Sequence, residues 1–576
     1  MSQFILELTP LNRDDSDSTT LLLGSWCGPS AHANVTIAEY HWDDRSKLFK
    51  DYQLMSSLYE RYLLKASRSL NRIHGVNHPV EFWRLVVGPW LHYFISIVLD
   101  RYEMLSYVSK TYDIKHARVP IYDLDGWIPI DYVDFNYQFY SDEWNYYLFS
   151  EIIRHTGVVG SKQTSFKLHP PEINVPNSKP SKIKSFLFAL TKLMRIQTKK
   201  IVFVEVDLPQ TSLYKILYRL KNFSFSYYLR VKPKSSILNW DLRGNIFTNN
   251  SNATEFEQLL NVLIPANMPT SYLEGYRDLV EDSKKIFPEN VNLIITSNAY
   301  FSNEHFKVWC AHKKNSGARL WVAVHGGHHG TALFNGPGKL TEDIADRFYS
   351  WGWGDYNLPS PKLSLLRAKK IKKSDNKILF IPYSVSKYSN HIDSSPIASS
   401  FNDCVNLHSR FLLALEIPNL KDDILIRLKS GRDLWNLDVE YAKCGISNFV
   451  YSNEEPLIDS IAKSALVIVT YDSTVFLESL TLNVPTCLLI RKDYWEMSHS
   501  SIEYFNQFLE CGILHYDENS LVKHIHEVKD DYDRWWYSEP VQVAIKLFLT
   551  KFGFSSERWE DDWSDELGEG IKWANM

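Results

Sequence analysis

Short apolar runs, bounded by turn residues and separated by stretches of helical periodicity, recur along this chain. The first half carries "IVFVEV" (201–206), "VNLIIT" (291–296) and "LWVAVHGG" (320–327). After "RFYSWGWGDYNLP" the rhythm restarts with "KILFIPYS" (377–384), "ILIRLK" (424–429), "LVIVTY" (466–471) and "TCLLI" (486–490). Strands apolar on both faces must be covered on both faces, which is the condition of a parallel sheet with helices above and below. The pattern predicts an α/β protein with two doubly wound sheets, one per half. The seam is expected near 335–360. The bounds that follow are 1–340 for an N-terminal unit with a helical insertion, 341–540 for a C-terminal unit, and 541–576 for an acidic, Trp-rich tail packing back on the surface.

The rest of the chain fits around these runs. "TLLLGSWC" (20–27) reads as a first buried strand. Apolar residues at three- and four-residue spacing predict helix from about 47 to 115, divided by the Gly75 end and the Pro79 start. Within it, "FWRLVVGPWLHYFISIVLDRY" (82–102) has nearly the length of a membrane span, but Arg84, Pro89 and His92 interrupt it and a buried helix pair is the expectation. Residues 157–181 read as an exposed loop. The basic segment 182–200 reads as a helix, either a solvated face over a core or a peripheral contact with the inner face of the cytoplasmic membrane.

Composition excludes several classes. A formal charge of −5 gives no pull toward nucleic acid, which is not expected as a partner. The six cysteines lie far apart with no CxxC pair, so neither a zinc knuckle nor a disulfide framework is indicated. "MSQFILELTPLNRDDSD" has no basic start and no long apolar core, and a cytoplasmic location is expected. The 18 Trp and 33 Tyr suit sugar or nucleobase faces, although tryptophans mostly fill cores.

Ligands of open α/β sheets settle beyond the carboxyl ends of strands, where helix starts present free N–H groups. In "TYDSTVFLES", Tyr471 and Asp472 follow a strand, Ser473 and Thr474 begin a helix, and Glu478 lies one turn on, placed for a ribose hydroxyl. Ordinary capping by Asp472 or Ser473 is the rival explanation. In "AVHGGHHGTALFNGPGK" (323–339), His325, His328 and His329 alternate with Gly326, Gly327 and Gly330. Glycines allow close backbone approach, and imidazoles suit proton transfer or phosphate contact. No familiar zinc pattern accompanies them, and no metal is expected in the site. Asp43 and Asp44 in "EYHWDDRSKL" suit either a general base or a charged helix start. Arg427, Lys429 and Arg432 stand where a strand ends and could pair with phosphate or carboxylate. The D-x-D of Asp123 and Asp125 in "YDLDGW" is better read as a turn.

Together "LLLGSWC", "YHWDDRSKLFKDY", "LNRIHGVNHPVEFWRLVVGPWL", "VHGGHHG", "DRFYSWGWGD" and "YDSTVFLESLTLNVPTCLLIRKDYWE" resemble a family of transferases found in bacterial O-antigen loci and first described from Leptospira. The resemblance spans about 20 to 500. It implies a cell-surface polysaccharide transferase with a GT-B-like pair of Rossmann domains, acceptor side first and nucleotide-sugar side second. More distantly, the "HGG" and "DST…E" arrangement is similar to Kdo transferases and teichoic acid glycerophosphotransferases, which use CMP- or CDP-activated donors. That similarity assigns His325 to the cleft, and Ser473 and Thr474 to the donor phosphate. His328 and His329 depart from the plain H-G-T pattern of the glycerophosphotransferases and weigh against a glycerophosphate donor.

The expected function is transfer of a sugar, an ulosonic acid from a CMP-activated donor, to a glycan or lipid-linked glycan, with no further cofactor. Asp43 or Asp44 would be the acceptor base and His325 an acid/base or phosphate contact. Gly326, Gly327, His328, Arg427, Lys429, Tyr471, Asp472, Ser473, Thr474 and Glu478 would bind the donor. A CDP-polyol phosphotransferase and a non-catalytic glycan-assembly scaffold are the alternatives.

Overall fold

The computed structural model describes residues 3–13, 19–28, 35–172, 199–221, 226–227, 230–247, 253–369, 377–415, 420, 423–430 and 435–574. Most of the segment expected as a basic helix over 182–200 lies outside these residues, as does Arg432. Lys199 and Lys200 open a strand instead.

The described residues form three parallel sheets, one more than the apolar runs predict. The first holds β1 (Phe4–Glu7), β2 (Thr20–Leu22), β3 (Thr36–Ile37), β4 (Ile114–Ile121) and β5 (Ser161–Lys167) in the order β3-β2-β1-β4-β5. β2 lies in the run expected as a first buried strand; the others evade a hydropathy reading because β1 and β3 are short, and β4 ("IKHARVPI") and the edge strand β5 ("SKQTSFK") carry half-exposed polar residues. β5 also occupies part of the segment expected as loop.

The second sheet holds β6 (Lys199–Val204), β7 (Ser226–Tyr227), β8 (Val291–Thr296), β9 (Arg319–Ala323), β10 (Arg347–Ser350) and β11 (Tyr356–Asn357) in the order β11-β10-β9-β8-β6-β7. A boundary at 340 therefore falls inside it. The third holds β12 (Ile378–Ile381), β13 (Ile424–Leu428), β14 (Phe449–Tyr451), β15 (Leu466–Val469), β16 (Thr486–Leu489) and β17 (Leu514–His515) in the order β14-β13-β12-β15-β16-β17. Numbered within the unit, that is the Rossmann order 3-2-1-4-5-6, and the sequence reverses between β12 and β15. In the second sheet the reversal lies between β6 and β8.

Helices between the sheets follow the sequence signals. The helix Arg45–His74 starts on the Asp44 cap and ends at Gly75, whose φ of 67° is a left-handed conformation that glycine adopts without strain. Val80–Val86 and Gly88–Thr111 form the expected buried pair, bent by 71°. No single helix among the described residues is long and apolar enough to cross a membrane. Period-two alternation divides the second sheet: Val202, Val204, Ile294 and Val322 face a core shared with the first sheet, while Ile201, Phe203, Ile295 and Trp321 face another. Trp559, Trp563 and Leu567 of the tail complete that second core. The third sheet has its own core, which runs from Ile378 to Phe552 and takes in Val324, Trp351, Leu363 and Leu366 from the preceding segment.

Candidate functional site

The loop after β9, residues 325–335, meets the start of the helix Thr474–Thr481 at the point where the third sheet reverses. Asp472 holds the two together. One carboxylate oxygen receives His328 Nδ1 at 2.9 Å and the other receives the Thr331 hydroxyl at 2.7 Å. Gly327 makes the approach possible, since a Cβ there would stand 2.4 Å from Leu477 Cδ1 on that helix. Asp472 is thus engaged across the units and does not cap its own helix. Ser473, the residue at the N-cap, makes no side-chain cap bond either, so its hydroxyl and the first helical N–H groups face the cleft without the ordinary capping partner.

A cavity of about 260 Å³ opens beside this helix start, lined by His325, His328, His329, His391, Asn335 and Ser473 among others. Its histidines are driven apart in charge. Burial works against protonation of His328, but the Asp472 carboxylate outweighs it and raises the ring to about 9, so it is an imidazolium at neutral pH. Its Nε2 is buried and has no partner among the described residues. Burial, with His325 and His328 nearby, depresses His329 to about 3 and keeps it neutral. His325 opens onto the cleft, yet the surrounding protein still lowers its ring, against the opposing pull of Asp207 and a bond to the Ser297 backbone.

The loop after β12, "YSVSKYSNHIDSSP", supplies groups that motif reasoning missed. His391 Nε2 lies 3.1 Å from Asp393, and Ser395 donates to the same carboxylate at 2.5 Å. Burial pushes the Asp393 carboxyl up, but His391, His328 and Ser395 hold it well below the usual range. The signal was available: this loop follows the first strand of a Rossmann unit and is dense in Ser, Asn, His and Asp. Asp207 was also missed. It follows β6 at the reversal of the second sheet, is anchored by its N–H on the Ser297 hydroxyl at 3.0 Å, and acts electrostatically on both His325 and Glu478.

Gly326 also lines the cavity, with nothing within 4 Å of where a Cβ would stand. The remaining expected residues are placed differently. Glu478 is fully buried, its carboxyl raised chiefly by burial and held by an ion pair with Lys362. Tyr471 packs its ring 5.3 Å from Tyr383. Arg427 is buried at the end of β13 and donates to the Ser460 hydroxyl at 2.9 Å and the Glu455 carbonyl at 2.6 Å. Lys429 is exposed. Asp44 accepts from the N–H groups of Ser46 and Lys47 as a helix cap, and Asp43 accepts from the Ser400 hydroxyl at 2.6 Å. Neither lines the cavity. Asp43 is exposed, yet crowding of its carboxylate and the charge of Asp403 raise it. Arg45 beside them forms a two-pronged pair with Glu496 at 2.6 and 2.9 Å, tying the first helix to the third unit.

Residues 4–567 match the family model described as LIC12162 family transferase. The chain belongs to this transferase family. No curated protein matches it. Among solved structures, this transferase is similar to OtsA in its apo form, with 11% identity over 64% of this chain and 99% of that chain, at a TM-score of 0.35. A UDP-forming trehalose-phosphate synthase from Burkholderia xenovorans aligns with 10% identity over 66% and 100% of the two chains, at 0.37. A mutant O-GlcNAc transferase of Thermobaculum terrenum aligns with 10% identity over 86% and 84%, at 0.32. Superpositions this loose carry no residue role across.

Proposed function

We propose that this transferase is a GT-B-like glycosyltransferase that takes a sugar from a nucleotide-activated donor, a CMP-linked ulosonic acid, and passes it to a surface glycan. The observation that supports this reading is an imidazolium with an unpartnered Nε2, His328, beside a helix start whose Ser473 hydroxyl is not used in capping. Both favour an anion, and both stand where a Rossmann unit receives its nucleotide. Among the described residues no Lys or Arg lines the cavity. One imidazolium and one helix start match the single charge of a phosphodiester better than a diphosphate.

Donor departure then needs no metal in this reading: the leaving phosphate is met by His328, Ser473 and the amides of the helix start. In this reading the acceptor base is the exposed Asp207, the carboxylate whose charge acts on His325, rather than Asp43 or Asp44. The test is a thermal-shift titration with CMP, CDP, UDP and GDP, since a ligand of the native state raises its stability by mass action. Stabilisation by CMP that vanishes in Ser473→Ala/Thr474→Ala is the expected result. Stabilisation by UDP or GDP alone discards the CMP donor, a shift with CDP alone returns the polyol phosphotransferase, and no shift at all returns the scaffold.

A further inference from the structure

A second chemically distinctive cluster lies away from the cleft, on the face of the third sheet covered by the helix Glu518–Val528. Leu489 pairs with His515 between β16 and β17, and side chains alternate along a strand, so Cys487 and His515 point to the same face. The covering helix adds His524. One ligand atom from each of Cys487, His515 and His524 lies within 4.8 Å of the others. The Gly512 carbonyl joins them, 3.7 Å from Cys487 Sγ and 3.0 Å from His515 Nε2.

Three details show that these side chains are held in place with lone pairs to offer. His524 Nε2 is buried and has no partner among the described residues. Its ring packs edge-on against Trp535 at 4.5 Å and fits only because residue 512 is glycine: at that left-handed position a Cβ would stand 2.6 Å from His524 Cε1. His515 is held at both ring nitrogens. Its Nε2 faces the Gly512 carbonyl at 3.0 Å, and its Nδ1 faces the Ser520 hydroxyl at 3.0 Å. That hydroxyl also lies 3.1 Å from the Asp517 carbonyl. A cation on Nε2 would put the proton of the neutral ring on Nδ1, where it donates to Ser520 while the Ser520 hydroxyl donates to Asp517, the outer-shell arrangement typical of a metal-bound imidazole.

We propose that Cys487, His515 and His524, with the Gly512 carbonyl, form a structural site for a borderline divalent ion of the zinc class that pins β16 and β17 to the helix above them. The donor set is one sulfur and two imidazoles, which suits that class rather than calcium or magnesium. Binding takes the thiol proton of Cys487 to solvent and forms the metal–sulfur bond with no change of oxidation state.

The experiment uses the full chain stripped with a chelator and titrated with Co²⁺. The expected result is one equivalent bound with a near-ultraviolet thiolate-to-cobalt band, bleached by Zn²⁺, and a rise in melting temperature with either ion. The band should be lost in Cys487→Ser, and affinity should fall roughly tenfold or more in Ser520→Ala through loss of the outer-shell bond. His524→Gln, at a partly buried position, should weaken binding while keeping the metal-free melting temperature. Absence of the band in the wild type, or its survival in Cys487→Ser, overturns the site. Should Cys487→Ser fail to fold, unchanged Co²⁺ affinity in His524→Gln overturns it alone. The outcome is independent of the nucleotide titration.

Discussion

His328 and Asp472 belong to different sheets, and their pairing gives the native state a charge that the unfolded chain lacks. Because the folded ring is raised to about 9 and the unfolded one titrates at its ordinary value, the native state holds an extra proton between the two. The stabilisation is fully present below about pH 6.5 and is lost as pH rises toward 9, a change on the order of 1–3 kcal/mol. Urea unfolding across that range should show the decline in the wild type, and Asp472→Asn should flatten it; a decline that persists in the variant contradicts the pairing. Gly327→Ala tests the close approach: its Cβ collides with the buried Leu477, and the cost should be about 1–3 kcal/mol by the same measurement. At this scale sequence reading has a clear reach. Ser473 and His325, which line the cavity, are legible because each follows the end of an apolar strand. His391 and Asp393 are marked only by the polar loop after the first strand of a Rossmann unit, and Asp207 by nothing local; the folding of separate loops brings them near. The Cys487–His515–His524 cluster escaped for the same reason, with spacings that match no zinc pattern.

At the scale of the element, the helix Thr474–Thr481 carries the sharpest distinction between structure and function. A serine that caps a helix typically contributes about 1 kcal/mol, which is lost on change to alanine. Ser473 makes no such bond, so Ser473→Ala should alter unfolding free energy by less than about 0.5 kcal/mol. The same variant should lose nucleotide-dependent thermal stabilisation. A full capping loss with undiminished nucleotide response would make this an ordinary helix start. The strands illustrate how elements become legible. β8 (Val291–Thr296) was read with its observed ends because both its faces are buried and its text is continuously apolar. β5 was read as loop because it is an exposed edge strand of polar residues, held by ladder bonds to β4 rather than by its side chains. Of the first sheet only β2, inside the run "TLLLGSWC", is legible as a strand; β1 is four residues long and β4 mixes polar with apolar residues, so the sheet as a whole is not, although the α/β class and the two larger sheets are.

The whole molecule is bound together by its tail, which leaves the third unit and completes the second. After the helix Glu539–Phe552 the chain passes Phe554, whose N–H donates to the Trp351 carbonyl at 2.8 Å and whose carbonyl accepts from Ser360 at 2.8 Å. It then lays the helix Trp559–Ala574 on the second sheet. Trp563 Nε1 donates to the Pro359 carbonyl at 3.0 Å, and Glu566 meets both Arg347 and the Tyr349 hydroxyl. Without these residues the face that bears Ile201, Phe203, Ile295 and Trp321 would keep only the segment from Val206 through the helix Gln210–Arg219 as cover, and a parallel sheet needs both faces covered. Trp563→Ala should therefore cost about 3–5 kcal/mol, a large part of the stability of an ordinary domain. The loss should be local. Amide exchange should accelerate in β6, β8 and β9, while β12 and β15, whose core ends at Phe552, keep their protection. Equal loss in both sheets would mean that the units unfold as one and that the tail is merely the last element of a single cooperative block. A loss confined to the second sheet would make the tail part of that sheet's fold, supplied from the far end of the chain. The two faces of the cleft would then be covalently coupled through residues 553–558, where Gly553 lies against Leu477, the side chain that Gly327 also approaches.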